Sequence, residues 1–240
     1  MDTNSTSDAG VEHAPAQTDS EIASPAGLGF AAALGYLLLF WLVVLACAGV
    51  LNLIAPGSPG LARVLDDDTC LRIGYVMGAA FILWRGIRTS EGRWRSWFPF
   101  RRVGVRQLAL AIVGVFAITL AIVALARLLP FYEDIKTKQD PPDTSVILLL
   151  LVCILGPVSE ELLFRGWMFS GFLVRYSPTK AIVFSALLFA VSHVHPMAII
   201  QTFAIGCFFA WLVRKTGSLL PAMAAHAAIN TVVTMARLFG

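Results

Sequence analysis

The sequence predicts an all-α protein, a polytopic transmembrane helical bundle of about seven spans. Three observations carry that expectation. Of the 240 residues, 58% are hydrophobic and 14% charged, against roughly 45–50% and 25% in soluble domains. Apolar runs of about 20 residues recur, the length a helix needs to cross ~30 Å of hydrocarbon. The basic residues are bunched between those runs rather than spread along the chain.

Residues 1–27 carry five acidic side chains, no Lys or Arg, and many Ser, Thr, Ala and Pro. Such a segment buries too little surface to order itself, and a disordered acidic tail is expected. It lacks the basic n-region of a signal peptide. The apolar segments follow as Leu28–Ala55, Cys70–Ile87, Gln107–Leu129, Thr144–Val174, Thr179–His193, Met197–Val213 and Ser218–Leu238. Residues 28–143 form a first group of helices and loops, and residues 144–238 a second that holds the candidate site. Gly74 and Gly78 are spaced for close helix packing. Cys47, Cys70, Cys153 and Cys207 form no CxxC pair and read as membrane-core residues rather than a disulfide framework.

Orientation follows from charge. Arg85, Arg88, Arg93, Arg95, Arg101, Arg102 and Arg106 crowd the loop after the second segment against a single Glu91. Loops rich in Arg and Lys stay in the cytoplasm. Arg175, Lys180, Arg214 and Lys215 fall on the same side, and Asp66 to Asp68 on the other. The N-terminus is therefore expected inside and the C-terminus outside, in a cell membrane, from the loop pattern a bacterial cytoplasmic one. The small net charge of +3 argues against nucleic acid as a partner; the bilayer and a membrane-associated peptide or protein are the partners expected.

The informative residues are polar ones at membrane depth, which are costly and count as functional candidates. Glu160 lies 15 residues from Arg175, His193 13 from Lys180, and Asn230 15 from Lys215, or ~20–22 Å of helix in each case. His226 is one turn shallower and shares a helical face with Asn230. Three helices thus place polar groups at one depth, where they can meet. A carboxylate and an imidazole together can deprotonate a water; a second His with an Asn can donate to an oxyanion. That set makes a hydrolase of amide bonds. Glu161 and Arg165, at i and i+4, read as an internal ion pair. His195, beside Pro196, reads as structural.

In order, these residues spell EExxxR (Glu160, Glu161, Arg165), FxxxH (Phe189, His193) and HxxxN (His226, Asn230). Residues 144–238 resemble the CPBP intramembrane proteases, relatives of type II CAAX prenyl endopeptidases and of bacteriocin-processing or immunity proteins. The resemblance implies a helical-bundle endopeptidase with its cavity open to the cytoplasm. It implies that Glu160 and His193 activate the water while His226 and Asn230 hold the oxyanion. It implies no required cofactor, and the chain has no HExxH zinc helix; were zinc present, His193, His226 and Glu160 would be its ligands. No GxGD or GxSG signature of other intramembrane proteases occurs. A non-catalytic immunity or scaffold protein of the same fold is the alternative. A carrier is disfavoured because the apolar segments show no internal repeat.

Overall fold

The computed structural model describes residues 27–58, 60, 65–89, 92–130, 145–193 and 196–239. Among them helix is the only regular structure. The tail over residues 1–26, the loop from Glu133 to Asp143 and His195 lie outside the described residues.

Helix α1 runs from Phe30 to Ile54. Its buried residues, Ala33, Leu37, Phe40, Val44 and Ala48, recur every three or four positions and so share one face. Leu34, Leu38, Leu42 and Leu45 on the other face are exposed. An apolar exposed face is what lipid as solvent permits. Helix α2, Asp67–Thr89, begins on Asp66, whose Oδ1 accepts from Thr69 N at 2.7 Å. It packs along α1 through Gly74 and Gly78. A Cβ on Gly74 would lie 2.6 Å from the Val44 carbonyl oxygen, so only glycine allows the two backbones to approach this closely.

A 3-10 turn over Arg93–Trp97 and an extended stretch then cross the bundle's end to α3, Val105–Ala126. The stretch is pinned to the far turn of the chain. Leu219 N donates to Pro99 O at 2.9 Å, and Ser218 Oγ to Arg101 O at 2.8 Å.

The long fourth helix, α4 (Val146–Arg175), is continuous but irregular. Two of its stretches are π-helical, Leu151–Leu155 and Glu161–Met168. Pro157 accounts for the first. Its ring nitrogen cannot donate to the fourth residue back and its ring crowds that turn. The backbone answers by widening, and Gly156 N bonds Leu151 O, five residues back. In the second stretch the Phe164 carbonyl accepts Phe169 N, again five residues on, together with Ser185 Oγ of the next helix at 2.8 Å.

Helix α5, Pro178–Val191, opens on a proline at its first turn, where no N–H is needed. It stops where Ser192 Oγ and His193 Nδ1 both bond the Phe189 carbonyl. Helix α6, Pro196–Thr216, closes at Gly217, whose φ of +63° is the left-handed conformation that glycine adopts cheaply at a helix end. Helix α7, Leu220–Phe239, completes the fold.

Five of these helices, α1 to α4 and α6, are long and apolar enough to cross a membrane. The other two helices expected to span, α5 and α7, fall short of that measure for two physical reasons. Fourteen residues of α5 cover only ~21 Å. Helix α7 has 20 residues, but His226, Asn230, Thr231, Thr234 and Arg237 lower its apolar character. The polar site itself hides one span from a composition test.

Two unlike ends result. At one, the start of α1 meets Arg175 at the end of α4, and the arginine-rich stretch meets the α6–α7 turn. This is the basic end. At the other lie Asp66 to Asp68, His193 and the last turns of α7.

Candidate active site

The site assembles where α4 changes pitch. Glu161 and Arg165 stand one turn apart on its second π-helical stretch, both 0% exposed, with Arg165 Nη1 donating to Glu161 Oε1 at 2.9 Å. The same oxygen accepts from His226 Nδ1, 2.9 Å away on α7. With Nδ1 so engaged, the imidazole turns Nε2 toward Glu160 Oε2, at 3.5 Å. Four ionisable groups therefore form a chain: Arg165, Glu161, His226, Glu160. Arg165 and Glu161 form the fully buried ion pair of this chain, each the counter-ion that a low-dielectric interior requires of the other.

Aromatic rings close the inner half of this chain. The guanidinium carbon of Arg165 lies 4.1 Å from the Phe189 ring centroid and 5.5 Å from that of Phe209. Its Nε and Nη2, and Glu161 Oε2, are buried without hydrogen-bond partners. The ring faces take the place of those partners for the cation. Phe189 also meets the rings of His193 and His226, at 4.9 and 5.8 Å. The first residue of FxxxH is thus the wall that both histidines and the arginine share.

The outer half is open. Glu160, 13% exposed, lines a cavity of about 190 Å³ with His193, Asn230, Ser192 and Tyr75. The cavity runs along Val152, Gly156 and Pro157 to a rim of Asp68, Leu71 and Arg72, all exposed. His193 Nδ1 is 2.9 Å from the Phe189 carbonyl, a contact that requires the proton on Nδ1 and leaves Nε2 as an acceptor. Asn230 spends one amide hydrogen on Val152 O, at 3.1 Å, and keeps the other.

The structure thus brings Glu160, Glu161, Arg165 and His226 into direct contact, and sets Glu160, His193 and Asn230 on one cavity wall. Glu160 stands nearer His226 than sequence spacing alone suggests, because the π-helical turn and α7 approach each other there. Of the groups that zinc would need, His226 is held between the two glutamates. Among the described residues no three His, Cys, Asp or Glu side chains gather as a metal-binding group. Sequence reasoning passed over Tyr75. Its buried hydroxyl lies beside Ser192 and Glu160 on a residue that lines the cavity. The signal for it was a phenol two turns into α2, on the face that Gly74 and Gly78 flank.

Among the described residues the two ends of the site differ. The cavity reaches the Asp68 end, and the basic end is closed by packed side chains.

Fold and site together define a multi-pass helical membrane protein with a carboxylate–imidazole centre beside a cavity. A family model for type II CAAX prenyl endopeptidase Rce1-like proteins matches residues 142–232, and the chain belongs to that family. The match contains all three motifs. The chain is also 32% identical over 161 residues to an uncharacterized 24.3 kDa protein of Escherichia coli, covering 62% of this chain and 71% of that one. No solved structure matches it.

Proposed function

We propose that the chain is an intramembrane endopeptidase that hydrolyses peptide bonds of membrane-associated proteins or peptides in a bacterial cytoplasmic membrane. One observation supports this reading most: the contact chain from Arg165 to Glu160 ends on a carboxylate that faces a cavity. A merely structural ion pair has no need of a second glutamate at an opening.

In this mechanism Glu160 takes a proton from a water in the cavity while the water oxygen attacks the substrate carbonyl carbon. His193 Nε2 accepts the water's other hydrogen and orients it. The oxyanion that forms is held by His226 Nε2–H and the free N–H of Asn230. Glu160 then returns its proton to the departing amine nitrogen as the C–N bond breaks. Glu161 orients the His226 ring through Nδ1 and Arg165 pairs with Glu161, so neither touches the substrate. Tyr75 offers a further O–H donor to the same space. No metal enters these steps.

The test compares membrane proteins of cells carrying the native chain with those carrying Glu160→Gln. Peptides that disappear only in the variant identify products. An unchanged set would leave the non-catalytic scaffold reading in its place. Purified protein is expected to keep its activity after exhaustive chelation. Activity lost to chelator and restored by stoichiometric zinc would make His193, His226 and Glu160 metal ligands instead.

A further inference from the structure

We propose that the cavity opens on the non-cytoplasmic face of the membrane, so that the substrates are polypeptide segments presented outside rather than cytosolic tails. The inference rests on the peptidase reading for its substrate and on geometry for its direction. Along α4 the two sides of Glu160 differ completely. Toward Val146, cavity-lining residues Leu151, Val152, Gly156 and Pro157 lead to the exposed rim of Asp68 and Arg72. Toward Arg175, every residue from Leu163 to Phe169 is buried. Phe98 seals that side: a Cβ on Gly166 would come within 2.7 Å of its ring.

The sealed end is also the charged one. Eleven of the chain's 18 Lys and Arg residues fall there by their position in the helices and connections, among them Arg175, Lys180, Arg214 and Lys215. Basic residues in short connections set orientation by staying in the cytoplasm, and acidic residues count for little. The open end carries Asp66, Asp67 and Asp68 at the start of α2, with Arg72 paired to Asp68 at 3.1 Å. Retention of the sealed end in the cytoplasm turns the rim outward. A water for hydrolysis then enters from the same side as the substrate, without crossing the packed half of α4.

Two exposed positions test this in the full-length protein. Leu71→Cys marks the rim and Lys215→Cys the sealed end; neither side chain is buried. A membrane-impermeant maleimide added to right-side-out vesicles is expected to label Leu71→Cys and to spare Lys215→Cys. Inside-out vesicles are expected to reverse the pattern, with the native chain and its four cysteines as background. Labelling of Lys215→Cys from outside, or of both positions from one side, overturns the orientation without touching the peptidase reading. Maleimide on Leu71→Cys, applied from outside, is further expected to reduce cleavage at least tenfold. If labelling runs as expected but Glu160→Gln alters no membrane peptide, the direction stands and the substrate assignment falls with the peptidase.

Discussion

Glu160 and Glu161 are neighbours in the chain and opposites in surroundings. Glu161 is wholly enclosed, with one oxygen shared between a guanidinium and an imidazole. Glu160 has a single imidazole at 3.5 Å and a cavity in front of it. Identical side chains thus sit in two environments, one enclosed in the packed bundle and the other at the cavity. The difference lies in the α4 backbone, which places the second glutamate on the packed side and the first on the open side.

The comparison breaks most visibly at Glu160. Glu160→Gln removes the proposed base but keeps the shape, and cleavage is expected to fall by ~10²–10⁴, the range for a general base. Thermal stability of the purified protein is expected to move little, because no full ion pair is lost. A variant that cleaves normally would show that the open glutamate is not the base.

Next comes Glu161. Glu161→Gln leaves Arg165 buried against two rings without its anion, a loss of roughly 3–5 kcal/mol for a broken buried pair. The folded amount recovered in detergent is expected to drop, and activity with it in proportion. A stable Glu161→Gln with selectively lost turnover would invert the two roles.

Much of this was legible in the sequence, and for a physical reason. Charge at membrane depth is rare, so Glu160, Glu161, Arg165, His193, His226 and Asn230 stand out against apolar neighbours. Regular helix geometry then predicts their common depth. Less visible was whatever depends on departure from that regularity. The two π-helical stretches alter which side of α4 each glutamate faces, and a rise of 1.5 Å per residue cannot anticipate them. Pro157 was the available sign. Phe209 looked like an ordinary apolar residue, and Phe189 marked only the start of its motif, because a ring that faces a guanidinium has the same composition as one that faces lipid. The sealed basic end depends on Phe98 meeting Gly166 across 68 positions of sequence, a contact no local pattern encodes.

Asn230 sharpens the comparison from the open side. It belongs to the cavity wall, yet its amide also ties α7 to the Val152 carbonyl in the first π-helical stretch. If its remaining N–H serves the oxyanion, Asn230→Ala is expected to slow turnover by ~10²–10³, with substrate affinity nearly unchanged because that bond forms only in the transition state. A loss confined to affinity would mean that Asn230 merely shapes the wall.

The smallest effect is expected at Tyr75, and it separates the two regions most sharply. Its phenol lines the same cavity as Glu160, and its buried hydroxyl lies beside Ser192 and Glu160. Tyr75→Phe removes the hydroxyl and keeps the ring, including its edge contact with Phe40 at 4.8 Å. Were the hydroxyl only a packing remnant, the variant would melt at the same or a higher temperature and cleave as before. As a donor held ready for a substrate or oxyanion, it yields a different pair of results: unchanged or raised stability together with turnover lowered several-fold. The two measurements are read together, because a loss of both activity and stability would place Tyr75 with the enclosed half of the site, beside Glu161, rather than with Glu160.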